Sequence, residues 1–226
     1  MNRKRATDED TTRALLECAG RTYAAQAGIT LRNTPGPLFQ LLVLTHLLSA
    51  RIKADIAVAA AHALFDAGMR TPQRMASATW QQRVDALGVG GYRRYDERTS
   101  SQLGDGAELL AERYHGDLRR LRNAGTGTSQ VRDLLREFPG IGPTGADIFL
   151  REAQGVWPEF APYIDRKAKD GASRLGLPRS ASDLAELVDE ADLPRLAAGL
   201  VRVALDEEVG EEVRRAARRE PASARG

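Results

Sequence analysis

One stretch constrains this chain more than any other: Leu38-Phe39-Gln40-Leu41-Leu42-Val43-Leu44-Thr45-His46-Leu47-Leu48-Ser49-Ala50. Wound as a helix, it points apolar side chains in nearly every direction, and a helix without a polar face has to be enclosed by other elements. It is shorter than a membrane span, so the enclosure must come from protein. The rest of the chain offers helices for that purpose. Ala, Leu, Arg and Glu recur throughout, while Val, Ile, Tyr and Phe never gather in alternating runs. Hydrophobic residues are 42% of 226, enough for a real core, and 5% aromatics leaves that core to aliphatic and alanine packing. The expected fold class is all-α.

Start and stop signals divide the chain. Residues 1–10 read as frayed, 8–27 as a helix ended by Gly28, and 31–37 as a loop. The apolar run at 38–50 follows. Further helices are expected over 53–67, from Thr71-Pro72, and over 79–86, 92–114, 117–124 and 129–137. After these come 143–154 with Pro143 in its first turn, 165–175 capped by Asp165, 182–191 and 193–217. Gly90-Gly91 and 125–128 read as turns, 156–162 as a loop, and 220–226 as a polar, disordered tail.

Net charge is +2, from 33 basic and 31 acidic residues. That balance does not by itself mark a polyanion binder. The single cysteine, Cys18, excludes an internal disulfide, an all-cysteine zinc site and a four-cysteine iron–sulfur cluster. Met1-Asn2-Arg3-Lys4-Arg5 is charged, but no apolar core follows it, so no secretory signal is expected. The expectation is a cytoplasmic, nucleoid-associated monomer.

The chemistry is concentrated in Leu134-Leu135-Arg136-Glu137-Phe138-Pro139-Gly140-Ile141-Gly142-Pro143-Thr144-Gly145-Ala146. This reads as helix, tight hairpin, helix. The two glycines permit positive φ and let a ligand approach the backbone, and Ile141 between them can fix the angle of the helices. The hairpin then presents amides at a helix N-terminus, which suits a DNA phosphate. Such contacts hold a duplex without reading its bases. The plain alternative is an ordinary inter-helix turn.

In order along the chain, several pieces resemble the helix-hairpin-helix DNA glycosylase superfamily, in particular its endonuclease III-like branch. Leu47-Leu48-Ser49-Ala50-Arg51 is similar to the family's leucine-rich helix ending in Leu-Ser-Ala-Gln. Gly90-Gly91-Tyr92 is similar to its Gly-Leu-Tyr turn, and Tyr114-His115-Gly116-Asp117-Leu118 to its His-Gly-Glu-Val segment. The stretch 138–146 resembles Leu-Pro-Gly-Val-Gly-Arg-Lys-Thr-Ala. Ile164-Asp165 with Arg174-Leu175-Gly176-Leu177 resembles Val-Asp-Thr-His followed by Arg-Leu-Gly-Leu. The likeness covers roughly residues 36–178.

The resemblance implies a two-lobed, all-α glycosylase fold. One expected lobe is a helical barrel over 38–135. The other combines 1–37 with 136–226, with hairpin 138–142 and Asp165 at the cleft and C-terminal helices over 179–219. It also implies that Asp165 is the essential carboxylate. Breaking an N-glycosidic bond builds positive charge on the sugar, which a fixed carboxylate stabilises while orienting or deprotonating water. The target nucleotide must first leave the stack. Asp165 read plainly is an N-cap, and the two roles are compatible. Gly142 and Asp165 stand 23 positions apart, slightly more than the family pattern, and the loop around Trp157-Pro158-Glu159 accounts for the excess.

Two departures matter. Bifunctional members carry a lysine two positions past the second hairpin glycine, which forms a Schiff base with the sugar. Here that position is Thr144, so a monofunctional glycosylase with water as nucleophile is expected. Lys167 or Lys169 is the candidate stand-in for a bifunctional enzyme with lyase activity. The cysteines of the family's iron–sulfur cluster are missing, so no cofactor is expected, no metal is held by side chains, and the only candidate ion is a monovalent cation at the hairpin carbonyls.

The partner expected is double-stranded DNA with a damaged or mismatched base, and no membrane. DNA contacts are assigned to Pro139, Gly140, Ile141, Gly142, Thr144, Gly145, Arg51 and Lys167. Arg51 stands where the family has the glutamine that fills the gap left by the extruded base. Arg93, Arg94 and Arg98, with Tyr95, are further phosphate candidates or a solvated helix face. His46, Tyr92 and Tyr163 are base-pocket candidates, against the reading of His46 as a core residue and of Trp157, Phe160 and Tyr163 as packing. Asp147 is read as structural. The rival functions are a catalytically inactive DNA-binding protein of this fold and a helical protein-interaction module.

Overall fold

The computed structural model describes residues 3–219, and all regular structure among them is helical. Helices run α1 (Arg3–Ala19), α2 (Tyr23–Gln26), α3 (Pro35–Leu48), α4 (Ala54–Asp66), α5 (Pro72–Ser77), α6 (Trp80–Val89) and α7 (Asp96–Tyr114). They continue as α8 (Leu118–Ala124), α9 (Thr128–Leu135), α10 (Pro143–Ala153), α11 (Arg166–Leu175), α12 (Ala181–Ala185), α13 (Leu193–Leu205) and α14 (Glu207–Arg219). The tail expected over 220–226 lies outside the described residues. No helix among the described residues is long and apolar enough to cross a membrane.

The chain divides into two compact units. One is continuous, Tyr23–Val156; the other joins the chain up to Thr22 with the chain from Trp157 onward. This differs from the expected division, which put 23–37 and 136–156 with the C-terminal helices. The reason is packing: α10 lies on α3, and the buried Glu152 carboxylate of α10 accepts the N–H groups of Tyr23 and Ala24 at 2.9 and 3.1 Å.

In the continuous unit α3 is enclosed as its composition demands. Leu38, Leu41, Leu44 and Leu47 are fully buried, and α4, α8 and α10 pack against it. Removing that much apolar surface from water is the unit's main driving force. Around this helix, α5 and α6 lie on α7, and α4 on α6.

The split unit is organised on α13, with Leu196, Leu200 and Val203 packed among Leu15, Ile164, Ala168, Ala172, Leu184 and Val213. Gly171 is what lets α11 approach it. A Cβ there would stand 1.8 Å from the Leu200 carbonyl oxygen.

Several boundaries depart from the sequence reading, each for a local reason. Helix α1 starts at Arg3 instead of fraying, with an Arg5–Glu9 pair one turn apart. It ends before Gly20, where a Cβ would lie 2.4 Å from the Leu16 carbonyl oxygen, so 8–27 is not one helix. Helix α7 starts at Asp96, not 92: Gly91 at φ +80 and the Tyr92 N–H bonded to the Leu87 carbonyl terminate α6 instead. The helix expected over 182–191 is only α12 followed by a 3-10 turn, Glu190–Asp192. The helix expected over 193–217 breaks at Asp206, whose carboxylate takes the Glu208 N–H at 2.9 Å. Inside the loop over 156–162 is a 3-10 turn, Pro158–Phe160.

Gly171→Ala is expected to cost about 3 kcal/mol, because overpacking here meets backbone and not a flexible side chain. A urea unfolding curve with a near-native midpoint would show that α11 can move off α13.

Candidate functional site

The hairpin is built by its sequence. Helix α9 ends at Leu135, and the Ile141 N–H donates to the Phe138 carbonyl at 3.0 Å, closing a four-residue turn. Pro139 occupies its second position and Gly140, at φ +81, its third. That is the pattern of a type II turn, which needs positive φ at the third position and favours proline at the second. Phe138 and Ile141 are buried and anchor the turn from both sides. Gly142 then caps α10, whose first residue is Pro143. The first-turn N–H groups of Thr144 and Gly145 have no preceding carbonyl to bond within the helix. Arg132 and Asp147 tie α9 to α10, Nε to Oδ1 at 2.7 Å, so Asp147 is structural.

The predicted contact residues fall into two groups within the continuous unit. Gly140 and Thr144 are exposed, and Pro139 and Gly142 half-exposed. Ile141 and Gly145 are buried, so the Ile141 side chain anchors the turn from inside and only main-chain groups of these two residues are candidates for contact. A Cβ on Gly145 would lie 2.6 Å from Ser49 Oγ and 3.2 Å from Ile141 Cγ2. Gly145 thus admits the end of α3 against α10, and Ser49 is anchored there by donating to the Thr45 carbonyl at 2.6 Å. Arg51, two residues on, is exposed.

His46 and Tyr92 do not line an opening. Tyr92 is fully buried, which raises its pKa. His46 is buried beneath the hairpin, and the cavity it borders measures about 20 Å³, room for one water and not for a base. Burial lowers its pKa from 6.5 to about 4, outweighing the opposing influence of the nearby Gln102 side chain and Pro139 backbone, and the Arg98 charge adds to the depression. Sequence reading did not single out Gln102. It stands one turn beyond Arg98 on α7, and nothing in the linear sequence ties it to residue 46 or 140. Arg93, Arg94 and Arg98 are exposed, Arg94 lying over the Tyr95 ring at 5.3 Å. A groove of about 610 Å³ between α4, α5 and α6 contains none of these residues.

In the split unit, Asp165 is half-buried and caps α11. Its Oδ1 accepts the Ala168 N–H at 2.9 Å, and its carbonyl starts the helical ladder. The cap holds the carboxylate in one orientation. Lys167 is exposed and Lys169 half-exposed on the first turns of α11. Tyr163 is half-buried two residues before Asp165, whereas Trp157 and Phe160 meet edge to face at 5.8 Å inside the core. Those two rings pack and do not stack on a ligand. No group of three or more His, Cys, Asp or Glu among the described residues could hold a metal ion.

No family model matches the chain, and no curated protein matches it. Among solved structures, the chain is similar to a trapped covalent intermediate of endonuclease III with DNA, an estranged-adenine complex. The identity is 18%, over 86% of this chain and 84% of that one, with a TM-score of 0.48. It is also similar to a non-covalent endonuclease III–DNA complex, at 19% identity over 77% of this chain and 74% of that one, with a TM-score of 0.47.

His46 makes stability depend on pH. Because the unfolded chain takes up the proton near pH 6.5 and the folded one only near pH 4, the residue's contribution is intact above pH 6.5 and is lost as pH falls towards 4. The expected loss is about 3 kcal/mol. Urea midpoints at pH 7 and pH 4.5 measure it, and His46→Gln should lack that component.

Proposed function

We propose that this chain is a monofunctional DNA glycosylase that hydrolyses the bond between a damaged or mismatched base and its sugar in duplex DNA. The observation that carries the reading is the Pro139-Gly140-Ile141-Gly142 turn leading into α10, a tight glycine hairpin with its exposed face at a helix N-terminus. Amides there hold one phosphate by hydrogen bonds and by the helix dipole, independent of base identity. Arg51, Arg98 and Lys167 supply positive charge to the duplex backbone, and Arg51 is the residue that occupies the space vacated by the extruded base.

Asp165 performs the chemistry. As the base departs with the electrons of the N-glycosidic bond, positive charge grows on the sugar, and the carboxylate stabilises it. A water loses a proton to that carboxylate as it adds to the sugar C1′, and the same proton passes on to the departing base anion, so the carboxylate ends ionised again. One carboxylate oxygen is committed to the Ala168 N–H, which sets the orientation of the other. Helix α10 carries no lysine, so the Schiff base of a strand-nicking mechanism has no amine from this helix. The Phe138 carbonyl accepts the Ile141 N–H, which closes the turn. No step is routed through a monovalent cation.

Single-lesion duplexes, incubated with and without hot alkali, test this reading. Strand breaks appearing only after alkali, at one lesion, are the expected result. Asp165→Asn should lower base release at least about a hundredfold while leaving salt-dependent duplex binding in place. Binding without base release on any lesion makes the protein an inactive DNA-binding member of this fold. Borohydride trapping on abasic DNA assigns lyase chemistry to Lys167 or Lys169, and the absence of salt-dependent binding leaves a protein-interaction module.

A further inference from the structure

The split unit holds a second polar feature besides the capped carboxylate. Arg174, Val203, Glu207, Gly210 and Arg214 line a cavity of about 230 Å³ where the ends of α11 and α13 meet the start of α14. A water takes up about 30 Å³ of liquid, so the space admits a small polyatomic ion together with waters of its own.

Two guanidinium groups border this space, and main-chain carbonyls hold both. Arg174 Nη1 donates to the Val203 carbonyl at 3.2 Å, and Arg214 Nη1 donates to the Arg174 carbonyl at 3.1 Å. Those carbonyls belong to the last turns of α13 and α11, where the helix dipole favours a cation. Anchoring helix ends accounts for one nitrogen of each side chain, and a guanidinium carries five N–H donors. Among the described residues, neither arginine is paired with a carboxylate. Glu207 lines the same cavity from the first turn of α14 and pairs with neither.

Gly210 keeps the space open. Arg214 folds back one turn along α14, so that a Cβ on Gly210 would stand 3.7 Å from Arg214 Nη1, 3.9 Å from Arg214 Nη2 and 3.3 Å from Val203 Cγ1. A longer side chain at this position would enter the cavity beside the guanidinium.

We propose that this cavity is a binding site for an oxyanion of the phosphate class, held between Arg174 and Arg214. The two groups are oriented in advance by main-chain carbonyls, so little side-chain freedom is lost when an anion arrives, and guanidinium N–H forks match phosphate oxygens. Glu207 offsets one of the two positive charges, and the excess that remains suits a phosphodiester or dihydrogen phosphate. A free phosphate ion and a DNA backbone offer the same chemistry. The site does not depend on the glycosylase reading, because anion binding is measured without DNA and without base release.

The probe is inorganic phosphate, titrated calorimetrically into the full chain against chloride at matched ionic strength. Wild type should bind one phosphate, and its thermal midpoint should rise with phosphate more than with chloride. Arg174→Gln and Arg214→Gln should each weaken phosphate binding at least about tenfold, the loss expected for a charge-assisted hydrogen bond. Gly210→Leu, which keeps both arginines and fills the space, should weaken it as much, and it tests the site even if an arginine variant fails to fold. Arg179→Gln, an exposed arginine outside the cavity, should bind as wild type does. Equal responses to phosphate and chloride in wild type, or unchanged phosphate binding in Gly210→Leu or in either folded arginine variant, overturn the proposal. Duplex affinity across a salt series then names the source of the anion: a salt slope lowered by about one in each arginine variant assigns the site to a DNA phosphate, and an unchanged slope assigns it to the free ion.

Discussion

The enclosure of α3 is the constraint on which the continuous unit depends. A helix apolar on every side can persist in water only if other helices cover it. That requirement draws α4, α8 and α10 onto it. It also sets the position of the hairpin, because α10 is the second helix of the hairpin and Gly145 allows its backbone to meet Ser49 at the end of α3. The polar exceptions on α3 are therefore informative. The Thr45 carbonyl anchors Ser49, and the His46 ring lies where a side chain on Gly140 of the turn would stand.

The hairpin and the carboxylate of the proposed function rest on different physics. In the proposed function the hairpin would act through main-chain N–H groups, whose direction is set by peptide planarity and by a glycine at positive φ. It needs no charged side chain to define its geometry. The proposed carboxylate is a side chain held by its own helix, with Asp165 capping α11. A cap and a charge-stabilising group are not competing readings of the same residue. The Ala168 N–H engages one oxygen and so supplies the fixed orientation that electrostatic stabilisation requires.

Buried polar residues follow the same logic elsewhere. Glu152 sits in the core with its carboxylate on two amides of α2, so the first N–H groups of this short helix are met by a residue far along the chain. A buried carboxylate is tolerated only where donors surround it. The cost of removing such a partner would fall on the unpaired group left behind.

What the sequence determined by itself is whatever is settled within a few residues. The all-helical class follows from helix formers and the lack of alternating runs. The caps at Thr71 and Asp165 are read from residue type and spacing, and the Pro-Gly turn announces itself because only glycine fits its third position easily. Tertiary structure decided the rest. It assigned α10 to the unit of α3, broke 8–27 at Gly20, buried Ile141 and Gly145, and brought Gln102 to His46. These depend on which surfaces meet across scores of residues, and on where a single Cβ would collide. Helical periodicity says which face of a helix is apolar, but not which partner it covers, so the ring beneath Gly140 was visible in sequence only as a histidine out of place.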